Sequence, residues 1–541
     1  MPNSKTVIKT LSLFGLAGLT IYSYSLNTLT KDSSAQAEQS FSTTVVKGSV
    51  VEVGKLPQVS PSNRALHGQA GTSPRIPIGE AQLEKIKANP LSTAAGKAAA
   101  KSALKVTTVD APPPVKGKTT QTYNCVGNSA TGFAPSDSHG AVGGSHYVEV
   151  TNVDLGIYSK TGCAAALSFV SLKSFFGVTD PAVTLFDPRA IYDFANKRYV
   201  VTAESRNSGS TDQTQYFAVS QTGNPLGAWT RYNIALSSGA SFFCKKAVTD
   251  FWDYPNLGYN KDKWFITANN FPSAGGAYGA IMTIDKAPTL TGGAAALRCY
   301  GTGASAVQFN VAPPLNRSKT SSVAYFLSPG SGSGTQLQKY TLDTVTNVMT
   351  FGPGIPIPAW TAPPGATQPT TALRIDTLDG RIQSNTMQIG NSVYAIHSLS
   401  VGGRAGLRLY KVNAGTNTAA VQTTYAITDA DSWGPSFAIA SNAGTTYGFY
   451  SFSYSSATLN PAAALVSRRN DGVGGNNLGF TYAVGVPMTS NCQNGTRCRW
   501  GDYSATSLNP SNLSSAFGVT QYLTGGSQFN WTTRIMGLSQ P

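Results

Sequence analysis

The chain has 541 residues with 40 basic and 25 acidic side chains, a formal charge of +15, yet only 12% of its residues are charged and 41% are apolar. A charged fraction about half the usual quarter, with 55 Gly and 30 Pro, excludes a disordered chain, a coiled coil and a helical bundle. β-Branched runs cut every eight to twelve residues by turn residues leave an all-β protein as the expectation.

Residues 1–37 read as a secretory signal peptide. Lys5 and Lys9 precede an apolar run from Leu11 to Leu26, and Ala35-Gln36-Ala37 offers small residues for cleavage before Glu38. The run is shorter than the roughly 20 residues a bilayer span needs, and no later stretch is long and apolar enough to be one. A secreted or periplasmic product without a transmembrane segment is therefore expected. Residues 38–109 carry nine basic and four acidic side chains among scattered Pro, Ser and Ala, and read as a basic low-complexity linker or pro-segment. After Pro112-Pro113-Pro114 the composition turns β-rich, so the main domain is placed at residues 110–541. That domain holds 28 basic and 20 acidic residues, a diffuse excess that gives no ground for nucleic-acid binding.

Six cysteines in the exported part fit an oxidising compartment. Cys492 and Cys498 enclose a five-residue loop and form the easiest bridge; Cys125 with Cys163 and Cys244 with Cys299 follow from proximity in sequence alone. No C-x-x-C or H-E-x-x-H is present, so no cysteine-bound or zinc-type metal site is assigned.

A degenerate repeat organises the domain. Aromatic-led strands begin at Tyr147, Tyr199, Trp264, Tyr325, Tyr394, Tyr447 and Phe517, at steps of 52, 65, 61, 69, 53 and 70 residues. Ahead of most of them lies another short strand and a tight turn, as in Arg189 to Tyr192 followed by Asn196-Lys197. Four strands and their loops fit a unit of about 62 residues, against roughly 40 to 50 in compact propeller blades. The expected fold is a seven-bladed β-propeller, taken as a monomer and closed by the strand near Tyr123 or the one from Trp531 to Leu538.

Superposed, the units put Asp near the start of most first strands: Asp137, Asp187, Asp253, Asp376, Asp431 and Asp502. In a propeller these starts share one end of the central channel. Arg189, Arg381 and Arg499 interleave with the acids, and His139, Tyr254 and Tyr503 stand beside them. Two interpretations remain open at this point. Repeated Asp can cap successive hairpins through Asx-turns, or pair with Arg in buried geometry; alternatively the acids line a ligand-binding rim, suited to sugar hydroxyls or to calcium. The domain's only two glutamates, Glu149 and Glu204, fall in second strands and are not assigned to the rim.

Four motifs in order, Pro135 to Gly143 (P-S-D-S-H-G-A-V-G), Asp187-Pro188-Arg189, Asp253-Tyr254-Pro255 and Arg499 to Ser504 (R-W-G-D-Y-S), resemble a family of secreted bacterial β-propeller proteins. That family is sialidase-like in architecture and has no assigned activity. The resemblance runs from about residue 121 to the end and marks Asp137, Asp187, Asp253, Asp376 and Asp502; Asp431, in Asp431-Ser432-Trp433-Gly434, departs from it. The three arginines would imitate a sialidase arginine triad, and Tyr254 or Tyr503 its nucleophile. Against that, the S-x-D-x-G-x-T-W boxes of sialidase blades are absent, and the sole Arg-Ile-Pro, at Arg75, lies in the linker. Three functions follow: a binding module for a glycan, cation or surface ligand, a sialidase-like glycoside hydrolase, and a structural adhesin or surface-layer component. The first is preferred, because fold alone licenses no activity.

Overall fold

The computed structural model describes residues 36–39, 42–59, 71–72, 106–109 and 120–540, with breaks at 132, 163–164, 209, 304–305, 443–444, 470–476, 491 and 493–496. The expected signal peptide lies outside the described residues except for Gln36 and Ala37. From residue 133 onward most strands pair antiparallel with their neighbours in sequence. One group is Val183–Asp193, Arg198–Asn207, Gln213–Ser220 and Ala228–Ser238. Its second strand is buried on both faces from Tyr199 to Ser205, which is why its sequence reads as a nearly continuous apolar run. The outer strand alternates buried and exposed residues, the period-two pattern of a surface strand. Asp193 closes the first hairpin, its Oδ1 accepting the N–H of Ala195 at 2.9 Å and of Asn196 at 3.3 Å, an Asx-turn.

The same order recurs from His139–Val142 to Ser168–Ser171, from Phe251–Tyr259 to Ala295–Tyr300, from Thr386–Ile389 to Thr418–Ile427, and from Asp431–Asn442 to Asn477–Val484. Every aromatic that leads the sequence repeat lies on a strand, and except for Tyr325 it is the second strand of its group. Tyr325 lies on Val323–Ser328, whose inner neighbour is only a bridge at Ala312 followed by Pro314–Asn316. That short strand pairs in parallel with Tyr259 on one side and Thr386–Gln388 on the other, so two groups merge into one ladder.

The first strands share a backbone device. Register shifts by a bulge between Phe186 and Arg189, between Asp253 and Asn256, and between Trp433 and Ser436. Each bulge holds a proline, which has no N–H to give a ladder, preceded by a residue in the left-handed region: Asp187 (φ 49°), Tyr254 (φ 60°) and Gly434 (φ 66°).

The two ends of the β-rich domain meet in one sheet. Ala505–Asn509, Asn512–Leu523 and Asn530–Ser539 are followed by Thr120–Thr131, with Ile535 opposite Cys125 and Gly537 opposite Tyr123. Of the residues before 110, expected as signal peptide and linker, the described pieces include strands laid on outer edges. Ser49–Glu52 pairs with Ala228 to Arg231, Ser42–Val46 with Ala295 to Cys299, Gln36–Gln39 with Val348 to Phe351, and Val106–Val109 with Thr424 to Ile427. The physical reason is the row of unpaired N–H and C=O groups that an outer strand presents.

Disulfides join Cys244 to Cys299 and Cys492 to Cys498. Cys125 is also disulfide-bonded, while Cys163, its expected partner, lies outside the described residues. Bridges of this kind fit an oxidising compartment. Among the described residues no helix is long and apolar enough to cross a membrane.

Candidate functional site

One cavity is lined by the first strands of successive groups, with His139, Ala190, Tyr259, Leu315, Met387, Phe437 and Leu508 each contributing from a different strand. It has about 40 Å³ of space for water, room for a few molecules. The residues at the starts of these strands are tied to one another by hydrogen bonds, and there the charged residues collect.

Asp137, Asp187 and Asp253 are 0, 4 and 8% exposed, so the acids form a nearly buried cluster and not the open face that a ligand-binding rim implies. Asp137 accepts from Asn152 Nδ2 at 2.6 Å and from the Asp502 N–H at 2.7 Å. Asp502 also pairs with Arg499 at 3.0 Å, and its carbonyl accepts from the Tyr254 hydroxyl at 3.1 Å and Gln383 Nε2 at 2.9 Å. Residues over 350 positions apart are thereby locked together.

The guanidiniums are held within the same cluster. Arg189 donates to the carbonyls of Pro255 at 2.9 Å and Gln383 at 3.0 Å, and its charge lies 3.3 Å from the Tyr503 ring centre and 5.1 Å from that of Tyr254. Arg381 grips Asp379 with two N–H groups at 2.9 Å each and lies 4.2 Å from the Tyr254 ring. The Tyr503 hydroxyl donates to Pro188 O at 2.8 Å, and the Tyr503 ring meets His139 edge-on at 5.9 Å. His139 Nδ1 lies 2.9 Å from Ala190 O. Burial, then the nearby Arg189 charge, push the His139 pKa well down, so this imidazole is neutral.

The acids respond in the opposite direction. Burial first, then the Asp253 and Asp502 charges, raise the Asp187 carboxyl to about 8. Burial raises Asp253 to about 7 against the lowering effect of Arg381. Asp137 is pushed well above its ordinary value by burial and then by Asp502 and Asp187. Burial works against the Arg381 charge, but Asp379 beside it more than offsets this and raises its pKa.

Asp431 stands apart, and Asp376 lies at the cluster's edge, where its charge acts on Arg499. Asp431 is a backbone cap, with Oδ1 accepting from Ala405 N–H at 2.9 Å and Oδ2 from Thr367 N–H at 2.8 Å. Asp376 forms an Asx-turn to Leu378 N–H at 3.1 Å and lies 4.0 Å from Arg497. The bulge also corrects the alignment of the repeat. Pairing equates His139, Arg189, Asn256, Ser436 and Ala505 as first ladder residues, so Asp137, Asp187, Tyr254 and Gly434 are equivalent while Asp253 and Asp502 sit one residue earlier.

Sequence reasoning passed over Asn152, Asp379, Gln383 and above all Glu204. Glu204 is fully buried, accepts the Tyr254 N–H at 3.1 Å, and has Oε2 without a hydrogen-bond partner. Burial, then Asp253 and Asp187, push its pKa well up. One carboxylate oxygen from each of Asp187, Glu204 and Asp253 lies within 4.8 Å of the others. The available signal was a lone carboxylate in the otherwise uncharged run Tyr199 to Ala203, which is expensive unless put to use. Glu149 has no such vacancy, accepting from Asn128 N–H at 2.9 Å and from the Thr533 hydroxyl.

No protein-family model matches the chain, and no curated protein matches it in sequence. Among solved structures it is similar to Trypanosoma rangeli sialidase in complex with sialic acid, at 9% identity and TM-score 0.34 over 65% of this chain and 53% of that one. The chain thus spans about half the length of that sialidase. It is similar also to an N-acetylgalactosamine deacetylase from F. plautii (9% identity, TM-score 0.31, 75% of this chain and 89% of that one). An exo-β-1,3-galactanase from Phanerochaete chrysosporium follows, at 10% identity and TM-score 0.28 over 78% of this chain and 96% of that one. Overlaps this weak carry no argument for a substrate.

Proposed function

We propose that the protein is an exported, seven-bladed β-propeller binding module whose polar ligand, a glycan or a cation, is held at the mouth of the central channel. Residues 1–37 serve as the signal peptide, 38–109 as a basic segment whose strands edge the blades, and 110–541 as the propeller domain. Support for the blade count comes from the cavity, which takes lining residues from seven first strands. The observation that carries the function is unmet bonding capacity at the mouth. Glu204 Oε2, Arg189 Nη2 and Arg499 Nε are buried there without hydrogen-bond partners among the described residues. Buried polar groups are normally paired, so a cluster of unpaired ones calls for a ligand.

The test is a binding screen of the purified protein against immobilised glycans and metal ions, beside Glu204→Gln, which removes an oxygen that no protein group among the described residues partners. Saturable binding that weakens in the variant while its Tm holds supports the proposal; absence of binding to every member of both classes rejects it.

A glycoside hydrolase is the second reading, favoured by Asp187 and Asp253, whose raised pKa values of about 8 and 7 would keep a proton for a leaving group at neutral pH. Both are nearly buried, out of reach of a bulky sugar, which favours a cation held at the mouth over hydrolysis. Reducing-sugar release that disappears in Asp253→Asn would reverse that order.

A further inference from the structure

The carboxylates at the channel mouth divide by what holds them. Asp137 accepts two hydrogen bonds, Asp379 three from Arg381, and Asp502 pairs with Arg499. Among the described residues no protein group donates a hydrogen bond to the carboxylate of Asp187 or Asp253, and Glu204 accepts only the Tyr254 N–H, leaving Oε2 buried and unpartnered. We infer that Asp187, Glu204 and Asp253 together ligate one divalent cation of the oxygen-seeking class, with calcium as the preferred ion. This rests on the mouth being a binding site and narrows its ligand.

The geometry fits a shared ion. Calcium–oxygen distances of roughly 2.3–2.6 Å let two ligands of one ion stand no more than about 5 Å apart. The three residues each offer an oxygen within 4.8 Å of the others. They come from three different strands that the backbone fixes to one another. Asp187 and Asp253 sit in the proline bulges of neighbouring first strands, and Glu204 lies on the strand paired with the first of these. The Tyr254 N–H, one residue beyond Asp253, ties Glu204 to the second bulge.

The neighbouring cations are engaged elsewhere. Arg381 is bound to Asp379, Arg499 to Asp502, and Arg189 to two carbonyls. Lys245, the remaining positive group that acts on Glu204, donates to Gln213 and Ser237. With the Arg381–Asp379 and Arg499–Asp502 pairs set aside, Asp137, Asp187, Glu204 and Asp253 outnumber the remaining cations, Arg189 and Lys245, and buried carboxylates without donors need a counter-charge. Three hard anionic oxygens are what calcium takes in preference to magnesium, which holds on to its waters.

The experiment uses the full exported chain stripped with EDTA. Calorimetric titration with CaCl2 should give one ion per chain, and Tm should rise with calcium concentration, because the ion binds only the folded state. Terbium, as a calcium substitute, should luminesce through the nearby tyrosines and be displaced by calcium. Glu204→Gln should weaken calcium by on the order of tenfold or more, whereas Asp429→Asn, at an exposed acid elsewhere, should leave it unchanged. Should Glu204→Gln fail to fold, the wild-type stoichiometry and terbium displacement still decide. The inference is overturned if CaCl2, MgCl2 and MnCl2 all leave Tm unmoved and terbium gives no saturable signal. Glycan binding that persists in EDTA alongside that result would sink the ion site alone. Loss of both kinds of binding would sink the mouth as a binding site as well.

Discussion

The strands Val183–Asp193 and Asp431–Asn442 open two sheets with the same bulge, yet one carries Asp187-Pro188-Arg189 and the other Gly434-Pro435-Ser436. In the first, the left-handed residue projects a carboxylate toward Glu204 and Asp253. In the second it has no side chain, and Asp431 three residues earlier caps two backbone N–H groups. Backbone geometry is thus the property the repeat preserves, while charge is added to some copies. It follows that damage to the backbone scheme should harm the protein far more than removal of the charges at the mouth.

The largest effect tests the scheme itself. Asn530–Ser539 pairs with Asn512–Leu523 on one side and Thr120–Thr131 on the other, so removing residues 530–541 exposes two strand edges at once. Expression of the truncated chain should give insoluble protein. Recovery of a soluble, cooperatively unfolding truncation would show that closure is dispensable.

Two acids on one strand sharpen the contrast next. Asp193 is fully buried and bound to Lys286 Nζ at 2.9 Å, while Asp187, six residues before it, accepts no hydrogen bond from a described residue. Lys286→Met strands a buried carboxylate and should cost about 3–5 kcal/mol in urea unfolding. Asp187→Asn, measured likewise in EDTA, should change stability little or raise it. Equal losses in the two variants would mean that both acids are scaffold.

A third effect concerns a titratable group remote from the mouth. Burial lowers the His397 pKa to about 3, with Nδ1 2.7 Å from Gly380 O and Nε2 3.1 Å from the Tyr410 hydroxyl. Above pH 6.5 neither the folded nor the unfolded state holds the extra proton, so this site does not alter stability. As pH falls below that, only the unfolded chain takes it up, and stability is lost progressively down to about pH 3. Between pH 7 and 5 the loss from this one residue should be about 2 kcal/mol. His397→Gln should be less stable at pH 7 but flatter over that interval, and an unchanged slope would clear His397 of the effect.

The strands were legible because the aromatic leaders Tyr199, Trp264 and Tyr447 sit at the start of strands buried on both faces, and burial selects a sequence pattern. The turn at Asn196-Lys197 was legible because it is built from residues that bond their own backbone, with Asp193 accepting from Ala195 and Asn196. Asp137, Asp187, Asp253 and Asp502 were aligned by the sequence near the starts of the first strands, and there the structure brings them together. Their depth was not legible, since it depends on Arg189, Arg381 and the tyrosines folding over them from distant sheets. Glu204 escaped because strand position tells which face a residue takes but not what a bulge on the next strand brings opposite it. The edge strands at 42–46 and 49–52 escaped for a related reason: their pairing is dictated by sheets more than 170 residues away.

The smallest effect returns to the bulge. Gly434 has φ 66°, and a Cβ placed there would meet nothing within 4 Å, so crowding is removed from the comparison and only backbone preference remains. Left-handed backbone costs an L-residue roughly 1–2 kcal/mol, less for Asn and Asp, whose short polar side chains tolerate it. The equivalent positions carry Asp137 at φ 43° and Asp187 at φ 49°, as that preference would select, and Tyr254 at φ 60°, which is held by its hydroxyl bond to Asp502 and by Arg189 and Arg381 beside its ring. Gly434→Ala should therefore lower stability by about 1 kcal/mol and Gly434→Asn by only a few tenths. Urea unfolding of the two variants side by side measures the difference directly. If Ala and Asn cost the same, or Ala costs nothing, the left-handed residue is not required at this bulge, and the sheet opened by Asp431 does not share the device that positions Asp187.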